Sequence, residues 1–243
     1  MSQHPHSLRD RLPFPPRTEP RFHWRGHEVT RLEGFTDAVF AFGVTLLIVA
    51  LEVPHTFDGL LDVLRGFPAF VICFAILMTF WNAHYIFFRR YGLQNMFSRV
   101  LTMAIIVLVL FFVYPLKFLF TVLTVMTFGF DMQDAPTLAG HEEVMQLYII
   151  YGLGFAGVWG LYAWLYTHAL RKRAELGLDA AELILTRSSL GACFVWVGVC
   201  LLSILLALIF RSDSLPGLTY FLLGPLQTLN GWWFGRKLRA LSV

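Results

Sequence analysis

The sequence has few charged residues, and this shortage argues against a soluble protein. Only 14% of its 243 residues are Asp, Glu, Lys or Arg, and 57% are hydrophobic. Soluble domains carry about 25% charged and about 45–50% apolar residues. A soluble chain of 27.8 kDa has too small a core to bury this apolar excess. The excess must face lipid, and the mean hydropathy of +0.63 agrees.

Cysteine frameworks and catalytic motifs are lacking as well. The three cysteines fall inside apolar runs without CxxC spacing, so neither a disulfide framework nor a metal site is expected. No GxSxG, P-loop or HExxH pattern occurs, and we therefore expect no enzyme and no cofactor. The basic residues follow the predicted membrane surface and form no aromatic-laced groove, so nucleic acid is not an expected partner.

What the sequence does have is a series of long apolar runs. A helix needs about 20 mostly apolar residues to cross a bilayer, and none of the runs alternates like a strand of a membrane barrel. The prediction is an all-α polytopic membrane protein with two kinks, at Pro115 and at Gly224-Pro225. Its six transmembrane helices are expected at residues 35–53, 67–88, 100–124, 144–170, 188–210 and 215–234.

The basic residues are distributed unevenly along the chain. Sixteen of the 19 Lys and Arg lie in the N-terminal segment, the second and fourth connectors and the tail. The positive-inside rule then places both termini in the cytoplasm of a cell-membrane protein, the bacterial inner membrane if the source is prokaryotic. We expect residues 1–30 to form an Arg/Pro-rich cytoplasmic arm, 31–235 the transmembrane domain and 236–243 a short basic tail.

An acidic residue, Asp37, enters the first predicted helix. A charge inside a spanning segment costs about 2.5–3.5 kcal/mol, so Asp37 should have a partner. Arg31 lies about 240° away around the helix, and the partner is therefore expected from the second helix, whose cytoplasmic end is at the same depth. Alternatively, such polar side chains only satisfy one another's hydrogen bonds and fix the packing of the helices. The hypothesis is a polar network of Arg31, Thr36, Asp37, Trp81, Asn82 and His84.

Another face of the first helix carries an uncharged stripe. Ala38, Phe42, Thr45 and Val49 follow one another at spacings of four, three and four, with Leu46 beside them. Phe42 lies about 140° around the helix from Asp37. One face can therefore pack against other helices while the other lines a pore, although such a stripe is also typical of a helix-packing seam.

At these residues the sequence resembles the transmembrane protein 175 family, the lysosomal potassium channels and their bacterial six-helix homologues. The family's signature is an Arg, three residues, then Phe-Ser-Asp. Here Arg31, Phe35, Thr36 and Asp37 have that spacing, and Thr36 keeps the hydroxyl. The Trp81 and His84 spacing and the stretch from Asn95 to Phe-Phe-Val-Tyr-Pro are also similar to bacterial members. The last three helices match only in number.

The resemblance implies a homotetramer in which four copies of the first helix surround a pore for potassium ions. Family members narrow that pore five, nine and twelve positions after the signature Asp, and bacterial members can place a Thr eight after it. Those positions are Phe42, Leu46, Val49 and Thr45 here. Phe42 replaces a smaller aliphatic residue. Since no Thr-Val-Gly-Tyr-Gly-like filter is present, selectivity for potassium over sodium should be modest.

Two other functions share many of these features. A secondary transporter favours polar groups at the membrane midplane, whereas the charged groups here cluster at the cytoplasmic ends of the predicted helices. A non-conducting regulatory membrane protein would show every feature except ion flux. The lipid bilayer is an expected partner in each case.

Overall fold

The computed structural model describes residues 22–26, 28–49, 54–129, 138, 140–210 and 214–241, and every regular element in them is helical. The predicted all-α class is confirmed. A 3₁₀ turn, Thr219–Leu222, joins the last two of the α-helices. The α-helices of the described residues are α1 (Arg31–Val49), α2 (Phe57–Arg65), α3 (Phe67–Tyr91), α4 (Met96–Phe128), α5 (His141–Arg171), α6 (Ala180–Phe210), α7 (Leu215–Leu218) and α8 (Leu223–Ala240).

Four stretches of the described residues are long and apolar enough to cross a membrane: Phe57–Tyr91, Met96–Phe128, His141–Arg171 and Ala180–Phe210. They contain the predicted second to fifth spans, and each is longer than the apolar run that predicted it. The polar helix ends extend beyond the hydrophobic window, because backbone hydrogen bonding continues where hydropathy falls.

The sixth apolar run differs from the expectation of one kinked helix. It forms α7, the 3₁₀ turn Thr219–Leu222 and then α8, so the break lies before Gly224-Pro225. Both residues are in the first turn of α8, where a proline removes no intrahelical hydrogen bond. The other predicted kink, Pro115, lies inside α4, which stays helical on both sides of it. The Tyr151 hydroxyl donates to the Pro115 carbonyl oxygen.

Helix packing divides the bundle into two parts that meet along α3, α4 and α5. Helix α1 packs on α3 and α4, whereas α6 packs on α5, α7 and α8. Helix α4 approaches α5 closely because residue 154 is a glycine, where an added Cβ would lie 2.2 Å from the Phe112 ring of α4. Across the α5–α6 interface the Trp159 and Trp196 rings stack with centroids 5.2 Å apart.

Basic residues collect at one end of the bundle, which we call the basic end. Arg89 and Arg90 occupy the last turn of α3, Arg171 that of α5, and Lys237 and Arg239 that of α8. Hydrogen bonds join the neighbouring helix ends. The Asn95 amide contacts His168 Nε2 at 2.8 Å, and Asn230 donates to the Ser188 carbonyl at 3.0 Å. Gly26, five residues before α1, donates from its backbone N to the Arg89 carbonyl at 3.1 Å, so the start of α1 lies at this end as well.

Candidate functional site: the exposed face of α1

Helix α1 has two unlike faces. One is buried against α3 and α4 and carries Glu33, Thr36, Phe40, Gly43 and Leu47. The other is exposed in the single chain even though it is largely apolar, with Phe42 57% exposed and Phe35 and Ile48 each 51% exposed. This unpartnered arc, which we call the exposed face of α1, also includes Ala38 and Thr45.

The four residues predicted to line a pore are not equally exposed. Phe42 and Thr45 lie on the exposed face of α1. Leu46 is half-buried and packs against the core that α1 shares with its neighbours. Val49 is the last residue of α1, and its side chain lies outside the described residues.

Thr45 presents an oxygen rather than a proton to its surroundings. Its hydroxyl donates to the Ala41 carbonyl in the preceding turn at 3.0 Å. A hydroxyl has one proton and two lone pairs, so once the proton is engaged with the backbone the remaining polar capacity of Thr45 is that of an acceptor. A cation is coordinated by acceptor oxygens, so Thr45 can contact a cation through its hydroxyl oxygen.

Asp37 is joined to the neighbouring helix α3 by a single hydrogen bond. The Trp81 indole Nε1 donates to its Oδ1 at 2.8 Å. The Trp81 ring in turn stacks on Tyr85, with centroids 5.6 Å apart and an interplanar angle of 20°. Hydrogen bonds to a charged acceptor are stronger than neutral ones, so this contact ties α1 to α3 near the basic end.

The other polar residues of the hypothesis lie apart from this pair. Thr36 is buried and donates to the Leu32 carbonyl at 2.8 Å. Arg31 and Asn82 are exposed, and no described residue hydrogen-bonds to the side chain of either. His84 is buried, with its ring 4.5 Å from that of Phe88, and Nε2 has no hydrogen-bond partner among the described residues. The structure thus brings together Asp37 and Trp81 only.

Two features at the start of α1 were missed from the sequence. The first is a capping box, in which Thr30 N donates to Glu33 Oε2 at 2.9 Å and Glu33 N donates to Thr30 Oγ1 at 3.1 Å. Its signal, Thr followed by Glu three residues later, is visible in the sequence. The second is the attachment of residues 22–26 to the basic end, for which no local pattern exists.

Comparisons with known proteins identify the family. The family model described as "Endosomal/lysosomal potassium channel TMEM175" matches residues 31–115, which contain α1, α2, α3 and the first part of α4. A curated protein of Marivirga tractuosa, named "Potassium channel", is 35% identical over 232 residues, covering 91% of this chain and 94% of its own length. The chain belongs to the TMEM175 family. It is accordingly a membrane protein.

A solved TMEM175 structure has the same fold. The crystal structure of the potassium channel MtTMEM175 T38A variant, in complex with a nanobody–MBP fusion protein, superimposes with a TM-score of 0.79 at 34% identity. The match covers 89% of this chain and 98% of that one. The likeness therefore extends beyond residues 31–115 into the later helices, where the sequence alone resembled the TMEM175 family only in helix number.

Proposed function

We propose that this TMEM175 family member is a potassium-permeable cation channel of the cell membrane whose pore is lined by α1. The observation that carries the proposal is the exposed face of α1. A 19-residue helix that buries one side on α3 and α4 and leaves Phe42 and Thr45 uncovered requires something else against that side. Its potassium channel relatives favour a pore.

The proposed assembly is a homotetramer. Each chain has one α1, so a central pore needs several copies, most simply in a closed cyclic arrangement. The exposed face spans about 140° of the helix circumference, from Phe35 and Phe42 round to Ile48. A lining helix needs this breadth, because part of its surface faces the pore and part contacts the neighbouring copies.

The proposed constriction is apolar. Four Phe42 rings would form its narrowest layer, followed by Leu46 and Val49, and the Thr45 hydroxyls would be the nearest polar groups. Hydrophobic constrictions gate by dewetting, and they lack the carbonyl ring that makes a filter highly selective. Modest selectivity for potassium over sodium follows.

The basic end supports an orientation with both termini in the cytoplasm. Arginines and lysines of cytoplasmic connectors and tails set membrane topology, and those of α3, α5 and α8 lie together at this end. Asp37 and Trp81 are then close to the cytoplasmic mouth, and Phe42 and Thr45 are deeper in the membrane.

Potassium flux distinguishes the proposed channel from the two alternative functions, a secondary transporter and a non-conducting regulatory protein. Purified protein in proteoliposomes should carry a potassium flux that exceeds both the sodium flux and that of empty vesicles, without an added substrate. A secondary transporter instead needs a coupled substrate or ion gradient, and a non-conducting regulatory protein gives no flux. Cross-linking of the purified protein should stop at four chains.

Thr45→Val tests the origin of selectivity. Valine keeps the shape of threonine but removes the acceptor oxygen, so the potassium-to-sodium permeability ratio is expected to fall. A polar contact of about 1 kcal/mol corresponds to about fivefold in that ratio. Bi-ionic reversal potentials measure it. The matched control is Thr79→Val on α3, since Thr79 is also exposed and donates to a carbonyl one turn back, Ala75, at 2.8 Å. An unchanged ratio in Thr45→Val would remove Thr45 from the selectivity mechanism.

A further inference from the structure

Residues 22–26, which we call the docking segment, have no regular secondary structure but pack on the basic end. Phe22 is 7% exposed and meets Tyr91 of α3 edge to face, with ring centroids 5.5 Å apart. The Arg90 guanidinium lies 5.1 Å from the centroid of the Phe22 ring. An apolar ring and a cation–π contact therefore anchor the beginning of the segment.

The backbone of the docking segment is bound to the end of α3. Arg25 N and Gly26 N both donate to the Arg89 carbonyl at 3.1 Å, and Arg89 Nη1 donates back to the Gly26 carbonyl at 3.0 Å. A Cβ on Gly26 would lie 2.5 Å from the Phe88 carbonyl oxygen. The two backbones are thus so close that only glycine fits at position 26.

The Arg25 side chain extends the attachment to α6. Its Nη2 and Nη1 bind Glu182 Oε2 and Oε1 at 2.7 and 3.0 Å, which is the bidentate geometry of a strong charge-assisted pair. Its Nε donates to the Leu176 carbonyl at 2.7 Å and Nη2 also to the Gly177 carbonyl at 3.2 Å. Arg25 thereby contacts the α5–α6 connector and the first turn of α6 at once.

The buried carboxylate of Glu182 is held by hydrogen bonds in the position where it pairs with Arg25. It is 1% exposed, and its carboxylate also accepts from His23 N at 2.8 Å and Asp179 N at 3.1 Å. A buried carboxylate is stable only when charge and hydrogen bonds compensate it. Loss of Arg25 would leave that charge without its cation, so the two residues act as a unit.

The docking segment leads directly into α1. Only residues 27–30 separate Gly26 from Arg31, and the capping box of Thr30 and Glu33 fixes the direction in which the chain enters the helix. Helix α1 packs on α3 and α4, whereas α6 packs on α5 and α8. The Arg25–Glu182 pair therefore links the start of α1 to the other part of the bundle.

We propose that Arg25 and Glu182 are positioning residues that hold the start of α1 and thereby set the balance between closed and open pore. The inference rests on the proposed channel function, since it assigns α1 to the pore. The pair touches no ion. It acts through the docking segment, by fixing where α1 begins relative to α6.

Single-channel recording of the full-length protein tests the proposal. In Arg25→Gln the open probability is expected to change at least about fivefold, the lower range of coupling between distant sites. The conductance of the open channel should stay as in the wild type, because Phe42 and Thr45 are untouched. Arg25→Lys keeps the charge without the bidentate fork and should give an intermediate open probability.

Two further variants separate positioning from general destabilisation. Gly26→Ala displaces the docking segment from α3 while both side chains of the ion pair stay chemically unchanged, and it should shift the open probability as well. Tyr91→Phe removes the bond from the Tyr91 hydroxyl to Thr186 Oγ1, 2.7 Å long, which joins α3 to α6 at the same end. That variant keeps the docking segment attached and should open like the wild type. Gly231→Ala, where nothing lies within 4 Å of the added Cβ, is the glycine control.

Amide hydrogen exchange gives a readout that does not need conduction. Exchange in residues 31–36 should accelerate in Arg25→Gln and Gly26→Ala and remain unchanged in Tyr91→Phe. Unchanged open probability and unchanged exchange in the first two variants would overturn the proposal. If the wild type carries no current, the channel function fails instead, and the exchange experiment alone decides whether the pair holds the start of α1.

Discussion

Phe42→Ala should raise potassium flux through the reconstituted protein about tenfold or more. Four phenyl rings form the narrowest layer of the proposed pore, and their removal widens an apolar constriction that otherwise excludes water. A tenfold rise in flux corresponds to a barrier to ion passage that is lower by about 1.4 kcal/mol. The transfer free energy of one buried phenyl group is larger than this, so the loss of the rings is sufficient for the effect. Discrimination between potassium and sodium should weaken in the same variant. Flux into proteoliposomes and bi-ionic potentials measure the two effects.

Ile48→Ala is the matched control for this variant. Ile48 is about as exposed as Phe42 in the single chain, at 51% against 57%, but it lies about 120° away around α1. It should face lipid or a neighbouring copy, and its truncation should leave conductance and selectivity unchanged. Equal effects of the two substitutions, or no effect of Phe42→Ala, would move the constriction away from Phe42.

Asp37→Ala should lower the stability of the assembled protein by about 1 kcal/mol, the usual net contribution of one hydrogen bond. The substitution removes the acceptor of the 2.8 Å bond from Trp81 Nε1 and so loosens α1 on α3. We expect a lower unfolding temperature and a smaller fraction of the proposed tetramer in detergent, measured by fluorescence unfolding and size-exclusion chromatography. A folded, normally conducting Asp37→Ala protein would show that the bond is dispensable.

The specificity of this effect is tested on α3. Trp81→Phe removes the indole donor but leaves an aromatic ring to stack on Tyr85, and its effect should not add to that of Asp37→Ala, because both delete the same bond. Asn82→Ala changes the next residue, which is exposed and whose side chain hydrogen-bonds to no described residue. It should have little effect on either measurement.

The helical class and the middle four spans were predictable because hydropathy reports them directly. Long apolar runs identify α3, α4, α5 and α6, and the structure confirms them. The break in the sixth run was misplaced because Gly224-Pro225 is compatible with the first turn of a helix, and the 3₁₀ turn before it contains no such residue. Helix α2 was missed because it has only nine residues, capped by the Thr56 hydroxyl.

The polar contacts were only partly predictable. Matching the membrane depth of helix ends pointed to α3 as the source of a partner for Asp37, and Trp81 donates to it. His84 belongs to the same predicted network and follows Trp81 by three residues. That spacing rotates it about 60° one way, into the core, whereas Tyr85 is rotated about 40° the other way and stacks on Trp81. Sequence spacing gives the rotation but not which side is buried.

The attachment of residues 22–26 could not be predicted. Arg25 and Glu182 are 157 positions apart, and neither belongs to a periodic pattern that would indicate a contact. Only the folded arrangement of α3 and α6 brings the carboxylate to the guanidinium. The Asp179 and Glu182 spacing does resemble a capping box, which indicates the start of α6 but not the arginine that binds there.

The most direct test of a pore along the exposed face of α1 is thiol accessibility during potassium current. The natural cysteines Cys73, Cys193 and Cys200 are buried, so a membrane-impermeant cationic thiol reagent should leave the wild-type current unchanged. If α1 lines the pore with this face, the reagent blocks the current of Thr45→Cys and spares that of Ile48→Cys. Block of Ile48→Cys without block of Thr45→Cys, or of neither in conducting channels, would contradict it.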